Sequence, residues 1–190
     1  MRALVRTTVA LSGWLACVVG AAQAMPLAGP AVVAAILLGH AFTLRNPPRE
    51  LRPVLVTAIV GTLLESTWIA AGAYLPREAM RGTPFCPIWI TALWVNAAVW
   101  LQGVAVGDRA RPPGRLGGES PRDVAKGPVI AGAALAGAIA IPASYAGAAA
   151  LDALSVAWPW DRAAIVAACY GAVAAAAALG LMRASRTQLD

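Results

Sequence analysis

VLVTAIVGTLLESTWIAAGAYL, residues 54–75, is a continuous apolar run that carries a single charged side chain, Glu65, near its middle. A bilayer core takes roughly 20 apolar residues to cross as a helix, and this run is long enough. Its Val, Leu, Ile, Ala and Gly follow one another without the polar alternation of a barrel strand. In lipid every backbone polar group must be bonded within the protein, so the run reads as a transmembrane helix.

Outward from it, five further stretches have the same character. The six expected spans are Thr7 to Met25, Pro26 to Leu44, Val54 to Leu75, Pro87 to Gly107, Gly127 to Leu151 and Arg162 to Met182. The second is the shortest uninterrupted run, because Pro26 and Pro30 confine it to Ala31 to Leu44. Composition agrees: 59% of the 190 residues are hydrophobic and 13% charged, too few polar groups to cover a water-soluble surface. The expected class is all-α, a polytopic transmembrane helix bundle of six helices in a single domain, residues 1–190. Its longest polar connection runs from about 108 to 126.

The 15 Lys and Arg residues orient the bundle. With the N-terminus inside, Arg2, Arg6, Arg45, Arg49, Arg52, Arg109, Arg111, Arg115, Arg122, Lys126, Arg183 and Arg186 all fall on the cytoplasmic side. Only Arg77, Arg81 and Arg162 fall outside, so both termini are expected in the cytoplasm of a bacterial inner membrane. Tyr74, Trp89, Trp158 and Trp160 collect at the expected outer ends, where amphipathic rings favour the headgroup layer. The net charge of +6 is then a topology signal with inner-leaflet lipid as its partner, and nucleic acid is not expected to bind. One competing reading concerns the start of the chain. Arg2 and Arg6, an apolar run and Ala22-Gln23-Ala24 imitate a cleavable secretion signal, and cleavage would leave five helices.

Glu65 is the first candidate for chemistry. A carboxylate at mid-membrane costs at least about 3 kcal/mol unless it is protonated, paired or watered. Thr57, Gly61, Glu65, Trp68 and Gly72 form one helical stripe that should face the interior. The position suits a proton-binding or substrate-anchoring carboxyl, and equally a neutral acid bonded to another helix for packing. Asn96, on the face of Trp89, Leu93 and Trp100, lies level with Glu65 and is the candidate partner, or else a packing clamp. Tyr145 follows Pro142, whose missing N–H should kink the fifth span. Gln102 reads as structural, and Asp152 and Asp161 as loop or cap residues. Glycines in the last two spans, among them Gly132, Gly137 and Gly171, allow close helix contact within the chain, or in a dimer.

Other chemistry finds no support. One histidine, His40, and three scattered cysteines supply neither a bis-histidine haem nor a clustered zinc site, so no metal or cofactor is expected. No nucleophile elbow, metalloprotease helix or phosphate-binding loop is present, and no convincing internal repeat is visible. The leading reading is a non-enzymatic accessory or lipid-interacting membrane component, whose partners are membrane lipid and a second copy or another membrane protein. The alternatives are a small transporter or permease using Glu65, and a lipid-modifying enzyme.

Three stretches add a resemblance. Gly13-Trp14-Leu15-Ala16-Cys17-Val18-Val19-Gly20-Ala21-Ala22, Pro87-Ile88-Trp89-Ile90-Thr91-Ala92-Leu93-Trp94 and Pro142-Ala143-Ser144-Tyr145-Ala146-Gly147 resemble, in that order, the bacterial inner-membrane family catalogued as domain of unknown function 2878. The resemblance implies a membrane bundle that keeps its first helix and has an acidic residue in its third span, where Glu65 stands. This chain has Gln102-Gly103 where that family tends to have Asn-His, and Ala140-Ile141 where it tends to have Gly-Gly. No activity is implied.

Overall fold

The computed structural model describes residues 2–44, 46–77, 85–107, 126–156 and 160–186. Among these lie six helices: α1 (Arg2–Ala22), α2 (Ala28–Ala41), α3 (Pro47–Ala70), α4 (Ile88–Gly107), α5 (Lys126–Ala150) and α6 (Trp160–Arg186). Each matches one expected span to within a turn or two. Leu4–Ala22, Pro47–Ala70 and Ala131–Ala150 are long and apolar enough to cross a membrane, while the apolar segments Ala28–Ala41, Ile88–Gly103 and Ile165–Ala177 are shorter. The polar connection between α4 and α5, residues 108–125, lies outside the described residues, as do Arg81, Trp158 and the side chain of Trp160.

Large apolar side chains cover the outer faces of the helices, while a charged residue lies inside the bundle. On α3, Glu65 is 0% exposed, whereas Ile59 is 59% and Leu63 63% exposed. Thr57 and Gly61 are buried with Glu65, so the expected interior stripe is real up to that point. Beyond it Ile69 is the buried residue and Trp68 only partly so. α4 is the hub, touching α1, α2, α3 and α6, while α5 packs mainly along α6. Gly137 and Gly171 lie in that α5/α6 seam, where an added Cβ would come within 2.5 Å of Ala174 and 3.0 Å of the Ala134 carbonyl. Their small size serves packing inside one chain. α1 belongs to the same core: Cys17, Val18 and Ala21 are buried in the main apolar cluster.

Two short strands, β1 (Tyr74–Pro76) and β2 (Leu154–Val156), were not foreseen by the all-helical reading. They pair antiparallel, Tyr74 with Val156, Leu75 with Ser155 and Pro76 with Leu154. Three residues are too few to show alternation, and the pairing joins distant parts of the chain, so no local pattern announces it. The strands are set up by the way α3 and α5 end. In α3 the Ala73 N–H bonds the Trp68 carbonyl and the Gly72 N–H that of Ile69, both at 2.9 Å, with Gly72 at φ 70°. In α5 the Ala153 N–H bonds Ala148 at 2.9 Å and the Asp152 N–H bonds Ala149 at 3.0 Å, with Asp152 at φ 60°. Both are left-handed C-terminal caps of the same kind. α1 ends likewise at Ala24, φ 59°.

The chain thus uses one unit twice, a helix, a left-handed cap, a short strand and a further helix. The separation that takes Gly72 to Asp152 also takes Tyr74 to Leu154 and Glu65 to Tyr145. The sequence hides this repeat because the equivalent side chains differ. Arg77 ties the capped face together, its Nη1 donating to the Ala22 carbonyl at 2.8 Å and to Asp152 Oδ2 at 3.2 Å. Asp152 is therefore a cap residue, as its position near a span end suggests.

Candidate functional site

Gly61 and Glu65 sit one turn apart on the buried face of α3, and the glycine determines what reaches the carboxyl. A Cβ at Gly61 would lie 2.1 Å from Trp94 Cδ2, so only the absent side chain lets the indole from α4 lie against α3. From there Trp94 Nε1 donates to Glu65 Oε1 at 3.1 Å. Tyr170, on α6, donates to the same oxygen at 2.9 Å. Tyr74, carried on β1, donates to Oε2. The Tyr170 hydroxyl also lies 3.4 Å from that of Tyr145 on α5. The protein has three tyrosines in all, and every one converges on this one carboxyl.

The rings form a wall around the acid. Tyr74 and Tyr145 have centroids 5.0 Å apart, Trp94 and Tyr170 5.9 Å, and Tyr145 and Tyr170 6.0 Å. Tyr74, Tyr145, Trp94 and Tyr170 are all buried. Hydrogen bonds to a charged group contribute about 1.5–3 kcal/mol each, so three direct donors can offset the cost of placing a carboxylate in hydrocarbon.

A second, smaller polar seam joins α3 to the start of α4. Thr62 donates to Thr91 at 3.1 Å, Ser66 Oγ accepts the Cys86 N–H at 3.1 Å, and Cys86 Sγ lies 3.8 Å from Thr91 Oγ1. Burial pushes the Cys86 thiol up to about 12.

Of the three residues singled out from the sequence, the structure brings Tyr145 into the Glu65 cluster and takes Asn96 elsewhere. Asn96 Nδ2 donates to the Ala10 carbonyl of α1 at 2.7 Å, with Gly13 leaving room for its amide. Two residues along a helix rotate a side chain by about 200°, so with Trp94 aimed at Glu65, Asn96 must face away. Asn96 thus bonds α1, while Trp94 bonds Glu65. Tyr74 and Trp89 also depart from expectation: both are buried, and the Tyr74 hydroxyl points inward. Gln102 is structural as expected, bridging His40 Nε2 at 2.9 Å and the Glu50 carbonyl at 2.8 Å. Cys17, Cys86 and Cys169 are free thiols.

Sequence reasoning missed Trp94 and Tyr170 and misassigned Tyr74. One signal was available: with three tyrosines in the chain and one buried acid to satisfy, phenols inside or beside the spans were the natural donors.

A family model described as "Protein of unknown function (DUF2878)" matches residues 4–106. That range includes Glu65, Tyr74 and Trp94 and stops before Tyr145 and Tyr170. No curated protein and no solved structure matches this chain.

Proposed function

The chain belongs to the DUF2878 family of proteins of unknown function, and we propose, from its arginine distribution and apolar helices, a multi-pass component of the bacterial inner membrane, non-enzymatic, with six spans and both termini cytoplasmic. The arginine distribution and the apolar, outward-facing side chains of the helices support the topology. One observation carries the functional reading. Both oxygens of the interior carboxyl are occupied by the protein's own donors, so Glu65 works first as a lock joining α3, β1, α4 and α6. The protein acts as an accessory or scaffold in contact with lipid, with a second copy or another membrane protein as partner. Restoration of a deletion phenotype by Glu65→Gln, which keeps the shape and one acceptor, is the expected result. A Gln variant that is folded and membrane-inserted yet behaves as the deletion would overturn the scaffold reading.

A second reading has its own support. Three phenols around one carboxyl form a run of hydroxyls able to give or accept protons, which suits a small transporter with Glu65 as a proton or substrate site and Tyr145 as a neutral partner. The repeated helix-strand-helix unit adds to it, since transporters commonly place their site between repeats. Flux in proteoliposomes that is unchanged in Glu65→Gln would remove it.

A further inference from the structure

We propose that Glu65 binds a proton on Oε2, and that the proton is delivered by Tyr74 from the face that carries the β1/β2 cap. The proposal deepens the transporter reading, and rests on it only for the purpose the proton would serve.

The donor inventory selects the oxygen. An indole N–H can only donate, so Trp94 holds Oε1 as an acceptor in either protonation state. The proton therefore goes to Oε2, whose neighbour is a hydroxyl. With Glu65 ionised, Tyr74 donates to Oε2; with Glu65 protonated, Oε2–H donates to Tyr74 Oη. Oε1 stays an acceptor in both states and keeps its bonds from Trp94 and Tyr170, so the change is confined to the Tyr74 hydroxyl, which turns its hydrogen away from Oε2.

The surroundings favour a proton over any other counter-charge. α3, β1, α4, α5 and α6 present to the carboxyl only Tyr74, Trp94, Tyr145 and Tyr170, with the Cys86 thiol further off ahead of α4. None is a cation, and the only ion pair among the described residues, Arg77 with Asp152, already satisfies itself at the cap. A proton can neutralise the site without needing room.

The two directions along α3 from Glu65 differ in chemistry. Towards the cap lie Tyr74 on β1 and Ser66, whose Oγ accepts the Cys86 N–H. In the other direction the buried face of α3 offers Gly61 beneath the Trp94 ring, then Ala58 and Val54, the last packed with Ala98 and Val99. Thr57 on that side is engaged with the Pro53 carbonyl. Of the donors to the carboxyl, Tyr74 is the one carried on the capped face itself, whereas Trp94 and Tyr170 reach it from within α4 and α6. In the step, a hydronium ion gives a proton to Tyr74 Oη and leaves as water while the original Tyr74 hydrogen passes to Oε2. One O–H bond is broken in hydronium and one forms on Glu65, the Tyr74 O–H is broken and remade, and no oxidation state changes.

The test is infrared difference spectroscopy of the full-length protein in lipid nanodiscs across an acid-to-alkaline titration. A carboxylic C=O band that appears on acidification and is lost in Glu65→Gln is expected. Tyr74→Phe should shift that band and slow its hydrogen–deuterium exchange, whereas Gln102→Leu, whose partners are His40 and the Glu50 carbonyl, should leave it in place. Absence of a Glu65-dependent band at every pH, or a band unmoved by Tyr74→Phe, overturns the proposal. Should Tyr74→Phe not fold, the wild-type protein in oriented, sealed vesicles decides: an acid pulse on the capped side must raise the band, and a response only from the opposite side overturns the proposal. A band that persists where no flux is found removes the transporter reading and leaves the proton site standing.

Discussion

Two polar clusters share α4, and they are built on different plans. Around Trp94, side chains bond side chains: an indole and two phenols meet a carboxyl. Around Asn96 and Gln102, side chains mostly bond main chain: Asn96 takes the Ala10 carbonyl, Gln102 that of Glu50, and Arg6 that of Gly103. A backbone carbonyl cannot change its role, so the second plan makes a fixed clamp. Hydroxyls and a carboxyl can exchange donor and acceptor, so the first plan makes a joint with two states. The lesson is that a bonded polar group inside an apolar helix bundle can hold or switch, and the chemistry of its partners decides which.

That contrast can be broken at several points. Glu65→Ala should have the largest effect, because it leaves the buried donors of Trp94 and Tyr74 without their acceptor, at about 1–3 kcal/mol each, while Tyr170 keeps Tyr145. Thermal unfolding in detergent would show it, and Glu65→Gln should recover part of the loss. Gly61→Ala comes next. Its new Cβ must push Trp94 aside, an overpacking cost of about 1–3 kcal/mol, with a change in tryptophan fluorescence that a plain loss of stability would not give.

At the fixed clamp, Gln102→Leu should cost about 0.6–2 kcal/mol and leave the environment of Glu65 untouched, which the same infrared band would report. Arg77→Ala should have the smallest effect, about 0–1 kcal/mol, since its ion pair is exposed, and that cost should shrink with added salt. Cys86 gives a check on the seam between the two helices. With its thiol held up to about 12 by burial, the thiolate is scarce at neutral pH, so alkylation of the folded protein should be slow and should accelerate once Ser66→Ala frees the Cys86 amide.

The helices were legible because hydrocarbon imposes a strong, local rule. A run of apolar residues about one bilayer long must satisfy its own backbone, and the six expected runs coincide in position with helices α1 through α6, of which Leu4–Ala22, Pro47–Ala70 and Ala131–Ala150 are long and apolar enough to cross a membrane. Glu65 was legible for the same reason, as a charge out of place among residues such as Leu63 and Leu64. Its partners were not. Tyr74 sits at a span end, where a phenol ordinarily favours the headgroups, and only the left-handed turn at Gly72 and the strand that follows fold it back onto the bundle. Asn96 and Trp94 both stood at plausible depth, and a rotation of α4 decided which of them met the acid.

By itself the sequence determined that this is a helical chain with an apolar exterior and one carboxyl that has to be solvated from within, because those properties follow from residue type and the length of each run. Which groups solvate that carboxyl was decided only by tertiary structure. The contacts join α3 to β1, α4 and α6, and through Tyr170 to α5, and such contacts depend on how the helices turn about their axes, a variable on which hydrophobicity along the chain is silent.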